Sequence, residues 1–146
     1  MKVLLISANT LTEPYPVYPL GLDYVAAAIT DRHEVRIADM NTLKGYDALL
    51  EIIGRPKDLR AADIIGISIR NIDNTDTTDP KGFFNAQREL IEKIRVCSSA
   101  LIVLGGSGFT IFPEEIMNAL DADYGIIGEG ERLALLLEAL ENKKDV

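Results

Sequence analysis

Leu101-Ile102-Val103-Leu104-Gly105-Gly106-Ser107-Gly108 is the stretch on which the reading of this chain turns. Four apolar residues in a row, with no polar alternation, suit a strand covered on both faces, and such strands belong to parallel sheets packed between helices. The glycines that follow end the strand in a turn whose backbone is bare, so a ligand could approach it closely and meet amide donors. The same grammar recurs outward in both directions. Val3 to Ile6, Val35 to Ala38 and Ile64 to Ile69 precede it, and Tyr124 to Ile127 follows, giving five candidate strands.

Helical patterns fill the intervals. Leu22, Val25, Ala26 and Ile29 share one face of a helix over Leu20 to Ile29. A second is expected from Tyr46 to Ile53. A third is expected to start with Asp79 as N-cap and Pro80 in the first turn, to turn Phe83, Leu90, Ile91 and Ile94 inward, and to end near Arg95. Pro113, Glu114 and Glu115 open a fourth that runs to about Leu120, because acids favour the positive end of a helix. The last, near Glu131 to Leu140, is leucine-rich over much of its surface and offers part of it to another domain. Strand and helix alternating in this way imply an α/β fold: a doubly wound five-stranded parallel sheet, flavodoxin-like (Rossmann-like), in the order 2-1-3-4-5. One domain is expected over residues 1–140, and the polar tail 141–146 reads as the start of a linker to a further domain.

Composition narrows the function classes. The 146 residues suit one core, and 47% hydrophobic content excludes a disordered chain. No apolar run reaches the roughly 18 residues of a membrane helix, and the N-terminus lacks the pattern of a secretory signal, so a soluble cytoplasmic domain is expected. A net charge of -8 repels nucleic acid and anionic membranes. The lone Cys97 makes no internal disulfide and builds no metal site; it reads as a small residue near a strand start. The one histidine, His33, begins strand two at the edge away from the turns, so no Ser-His-Asp or Cys-His set can be assembled.

Ligands of open parallel sheets collect beyond the carboxyl ends of the strands. The loop after strand one, residues 8–21, is long and stiffened by Pro14, Pro16 and Pro19, and it is neither a dinucleotide turn nor a phosphate loop. That removes a ribose role for Asp39 and leaves flavin mononucleotide a weak option. The loop after strand three, Ser68 to Asp79, is longer than usual and polar. Asp73, Asp76 and Asp79 stand three apart without the spacing or central glycine of a calcium loop, which leaves a solvated, capping-rich loop as the plain alternative. After strand five, Gly128-Glu129-Gly130-Glu131 places glycines around an acid that can accept hydrogen bonds. Three such loops on one edge point to a bulky ligand.

Further residues complete an ordered set: Pro19-Leu20-Gly21-Leu22, His33-Glu34-Val35 with Asp39, Ile67 to Asp73, Val103 to Phe109 with Phe112-Pro113-Glu114-Glu115, and Asp123 to Glu131. Taken together they resemble the N-terminal cobalamin-binding domains of cobalamin-dependent radical S-adenosylmethionine (radical SAM) enzymes, including methyltransferases and anaerobic magnesium-protoporphyrin ester cyclases. The resemblance spans nearly the whole chain. It implies a cobalamin site lined by Ser68, Arg70 and Asn71, with Gly105, Gly106 and Ser107 against the nucleotide tail and Gly128, Glu129 and Gly130 closing it; Asp73, Leu104 and Gly108 are further candidates for cofactor contact. An amide-fringed macrocycle with a phosphate in its tail suits small residues, backbone amides and one arginine.

The sequence departs from the wider family twice. It lacks the D-x-H-x-x-G motif after strand one whose histidine ligates cobalt in methionine-synthase-like domains. It also lacks the three-cysteine motif of a 4Fe–4S cluster, so the resemblance places S-adenosylmethionine, the cluster and the radical SAM barrel in a downstream domain or on another chain. No complete active site is expected here. The competing reading is a flavodoxin-like adaptor that packs on a partner domain without cofactor. A phosphoacceptor domain is disfavoured, because Ser68 to Arg70 stand where it needs an aspartate and Glu129 stands near the place of its lysine.

Overall fold

The computed structural model describes residues 1–10, 14–45, 47–49, 51, 62–70 and 84–142. Five parallel strands form one sheet in the order β2-β1-β3-β4-β5. They are β1 (Lys2–Ser7), β2 (Glu34–Asp39), β3 (Ile64–Ser68), β4 (Leu101–Gly105) and β5 (Tyr124–Gly125). The helices are α1 (Leu20–Ile29), α2 (Asn85–Cys97), α3 (Ser107–Ile111), α4 (Pro113–Ala119) and α5 (Leu133–Glu141), with a 3-10 turn at Gly130–Arg132 leading into α5. This is the expected doubly wound α/β architecture and strand order.

The apolar runs of β1, β3 and β4 form strands because both of their faces are covered, whereas β2 and β5, at the sheet edges, are largely exposed or half-buried and not the buried strands expected. On one face Leu4, Ile6, Ile65, Ile67, Ile102 and Leu104 pack against Leu90, Ile91 and Ile94 of α2, Phe109 of α3 and Ile116 of α4. On the other, Val3, Leu5, Ile64 and Val103 meet Leu22 and Ile29 of α1 and Leu133, Leu136 and Leu137 of α5. Removing this much aliphatic surface from water is the main force holding the domain closed.

Several boundaries differ from the sequence reading. β5 has two paired residues rather than four, the ladder with β4 closing at Leu104 and Gly125; Ile126 N–H still donates to the Leu104 carbonyl at 2.8 Å. The stretch from Ser107, read as part of a flexible turn, coils into α3, since Thr110 N–H finds the Gly106 carbonyl at 3.1 Å. α2 runs two residues past Arg95, placing Cys97 at the helix end shortly before β4 begins. Residues 47–49 are helical and Leu49 is fully buried. The rest of that expected helix lies mostly outside the described residues, as do the proposed Asp79 cap, Pro80 and Phe83.

The amino ends of the strands are stitched by polar contacts. Asp123 Oδ2 accepts from Ile102 N–H at 2.7 Å and from the Arg95 guanidinium at 2.8 Å, and Asp63 Oδ2 accepts from Lys2 N–H at 2.8 Å. His33 is buried at this same edge, with Glu141 Oε1 3.5 Å from its Nδ1. Burial pushes its pKa down, while the Glu141 carboxylate pulls it up.

Candidate ligand crevice

Parallel pairing puts register partners on the same face, and that converts the strand sequences into rows across the sheet. On the α1/α5 face the first row is Val3, Ile64 and Leu101, the next is Leu5, Gly66 and Val103, and the last is Ser7, Ser68 and Gly105. Side-chain bulk therefore falls toward the carboxyl ends. Leu5 leans over Gly66, where an added Cβ would come within 2.8 Å of its Cδ2. Between this tapering face and the helices lies a crevice of about 510 Å³, floored by Leu5, Ser7, Gly66, Ser68, Val103 and Gly105.

Four chain segments wall the crevice. Val17, Tyr18, Pro19, Leu20 and Gly21 supply one side, continuing into Tyr24 and Val25 of α1. Ser68 and Arg70 come from the exit of β3, Gly105 to Ser107 from the exit of β4, and Ile126 and Gly128 to Glu131 from the exit of β5. Four large apolar side chains that stay exposed, Val17, Tyr18, Leu20 and Tyr24, stand together on this rim. Tyr18 Oη donates to Asp23 Oδ2 at 2.6 Å, and that bond raises the phenol's pKa above its usual value.

The loop exits are fixed by hydrogen bonds to one another. Ala8 N–H donates to the Ser68 carbonyl at 3.2 Å, Ile69 N–H to the Gly105 carbonyl at 2.8 Å, and Gly108 N–H to the Ile69 carbonyl at 2.9 Å. Ser107 Oγ donates to the Arg70 carbonyl at 2.9 Å. Gly106 sits at φ 98°, and an added Cβ would lie 2.7 Å from the Ile69 carbonyl oxygen, so only glycine fits there without displacement. At Gly130 an added Cβ would come within 2.5 Å of Val25 Cγ2, which is how the turn after β5 seats on α1.

Of the residues singled out from sequence, Ser68, Arg70, Leu104, Gly105, Gly106, Ser107, Gly128, Glu129 and Gly130 meet at the crevice. Gly108 is buried off its wall, its amide spent on Ile69. Asn71, Asp73, Asp76 and Asp79 lie outside the described residues. The sequence reading missed Ser7 and Gly66 on the floor and the residues from Val17 to Val25 on the wall. The length and prolines of residues 8–21 were the available signal for the wall; nothing in the chain order marked the floor.

Chemically the crevice offers backbone amides, the hydroxyls of Ser7, Ser68 and Ser107, the Arg70 guanidinium and the carboxylates of Glu129 and Glu131 around an apolar floor. The sole histidine is at the other edge, so no hydroxyl here has an imidazole base. Among the described residues no group of His, Cys, Asp and Glu could hold a metal ion, and no helix is long and apolar enough to cross a membrane. The fold and this site define a ligand-binding domain of the doubly wound α/β class, one that holds its ligand at the carboxyl edge of the sheet.

A family model described as "B12 binding domain" matches residues 6–137, and the chain belongs to that family. Tryptophan 2-C-methyltransferase of Streptomyces laurentii is 25% identical over 140 residues, covering 90% of this chain and 21% of that protein. The radical S-adenosylmethionine methyltransferase TsrM of Kitasatospora setae, solved with cobalamin and a 4Fe–4S cluster bound, matches at a TM-score of 0.81 and 29% identity over 99% of this chain and 25% of that one. OxsB, a cobalamin-dependent S-adenosylmethionine radical enzyme, shares the fold at a TM-score of 0.73 and 18% identity, with 99% of this chain and 19% of that chain covered. The chain thus spans a quarter or less of the length of each of these relatives.

The residues present fit cobalamin. The trough left by Ser7, Ser68 and Gly105 is free of bulky side chains, the glycine turns leave their backbone accessible, and Arg70 is a cation suited to a phosphate.

Proposed function

We propose that this domain holds cobalamin for a longer enzyme whose radical SAM barrel lies downstream in the full-length chain or on a partner chain. The observation that carries the reading is the taper of the α1/α5 face to Ser7, Ser68 and Gly105, which makes room for a large group where an ordinary core would place branched side chains. Gly105, Gly106 and Ser107 would lie against the nucleotide tail, Ser68 and Arg70 would line the crevice with the guanidinium as a cation suited to the phosphate, and Gly128, Glu129 and Gly130 would close the site. Leu104 and Gly108 support these turns from behind. The binding unit is read as running through α5, whose last residue Glu141 has its carboxylate beside His33, and the connection to the next domain as following it.

Bound here, cobalamin would supply a cobalt centre able to carry a one-carbon group between the domain and its partner. The chain's own residues bind and orient it and exclude water from its buried portion. With His33 at the opposite edge, they offer cobalt no histidine ligand. The parent enzyme's reaction is read as methyl transfer or related radical chemistry, in a reducing cytoplasm that keeps Cys97 free.

Titrating the purified chain with hydroxocobalamin tests the reading directly. Binding is expected to change the visible spectrum of the corrin with a saturable, one-to-one endpoint. A spectrum that stays that of free hydroxocobalamin at every protein concentration rejects it and leaves an adaptor without cofactor.

A further inference from the structure

Thr110 stands behind the crevice and was not among the residues read as functional from sequence. Its side chain makes two contacts that no apolar residue of the same shape could make. Thr110 Oγ1 donates to the Gly106 carbonyl at 3.1 Å, in the turn after β4. The same oxygen accepts the N–H of Gly128 at 3.0 Å, in the turn after β5. A hydroxyl is the group that supplies one donor and one acceptor from a single atom, so it can bridge a carbonyl and an amide on two different loops.

Both partners are glycines held at positive φ, 98° for Gly106 and 82° for Gly128. Gly106 is hemmed in by Ile69 and Ser68, but around Gly128 an added Cβ would meet nothing within 4 Å, so packing does not hold that turn. β5 is paired over two residues only, so the ladder gives the following turn little support. The Thr110 bridge is a side-chain hydrogen bond that ties that turn to the one after β4.

We propose that Thr110 is a positioning residue for the cofactor site: it sets the spacing of the two glycine turns across the crevice, and thereby the affinity for cobalamin, without touching the ligand. The inference rests on the cobalamin reading above. Losing a preorganising contact of this kind weakens binding because the ligand must order the loop itself.

The test compares Thr110→Val, Thr110→Ser and the parent chain by hydroxocobalamin titration, together with amide hydrogen exchange at Gly128. Thr110→Val is expected to weaken binding about five- to tenfold and to speed exchange of the Gly128 amide, while Thr110→Ser restores both to within about twofold. Asp123→Asn, which perturbs the opposite end of β5, serves as a control for general destabilisation and is expected to leave affinity unchanged. Equal affinity of parent and Thr110→Val overturns the inference while leaving cobalamin binding intact, as does a serine variant that fails to rescue. Unchanged Gly128 exchange in Thr110→Val overturns it regardless of the cofactor. A parent chain that binds no cobalamin rejects the underlying reading and this inference with it.

Discussion

The two faces of the sheet are built from the same strands and behave in opposite ways. Toward α2, α3 and α4 the rows of the three central strands are bulky: Leu4, Ile65 and Ile102, then Ile6, Ile67 and Leu104. Toward α1 and α5 the rows shrink from Val3, Ile64 and Leu101 to Ser7, Ser68 and Gly105. The first face spends its whole area on packing, and Ile6, Ile102 and Leu104 are fully buried there. The second gives up packing near the carboxyl ends, so the helices stand off the sheet and a crevice remains. One face holds the domain together and the other leaves it something to bind.

That contrast can be broken most sharply at Gly105. An added Cβ there would meet only the Ile126 carbonyl oxygen at 3.8 Å and Ile126 Cβ at 3.9 Å, which are ordinary contacts. Gly105→Leu is therefore expected to fold and to fill the trough, lowering cobalamin affinity by at least about a hundredfold in a spectral titration. Retained affinity would mean that the open face is not where the ligand goes.

The packed face should respond in the reverse sense. Ile67→Ala removes a buried side chain on the α2 side, so a loss of about 2–5 kcal/mol in urea unfolding is expected. Cobalamin affinity of the variant that remains folded should be unchanged. If Ile67→Ala weakened binding as much as Gly105→Leu, the two faces would not be separate in function.

The smallest effect expected is at the closed edge. Burial depresses His33, so its folded pKa lies below the unfolded value and the neutral ring is the form the fold prefers. Such a group contributes its stability above the ordinary histidine range and loses it as pH falls through that range toward the folded value. His33→Phe should thus show a shallower decline in unfolding free energy between about pH 7 and 5 than the parent chain. An unchanged slope would show that His33 is not the group responsible. Cobalamin affinity should be indifferent to this change, since His33 lies at the far edge.

Much of this was legible before any coordinates. The near-continuous apolar runs marked β1, β3 and β4, because residues buried on both sides leave no alternation to confuse with a surface strand, whereas β2 proved to be an edge strand with Arg36 and Ile37 exposed. The glycine runs Gly105-Gly106 and Gly128 to Gly130 marked two of the crevice walls, since bare backbone at a strand end is written directly as glycine. The helix over Ser107 to Ile111 was not legible, because Gly106 and Gly108 flank Ser107 and read as a turn until the tertiary contact of Gly108 with Ile69 is known. The wall from Val17 to Gly21 was visible as an unusually long, proline-rich connection, without any sign of which face it would cover.

The sequence by itself determined most of the elements, their order, the topology they allow and the edge on which a ligand could gather, because periodicity, capping and turn chemistry act over a few residues at a time. Only the tertiary structure decided that Ser7, Ser68 and Gly105 form one row and that Thr110 reaches from one glycine turn to the other. Those facts depend on inter-strand register and on the approach of segments far apart in the chain, which follow from the packing of the whole core and leave no local mark at the residues concerned.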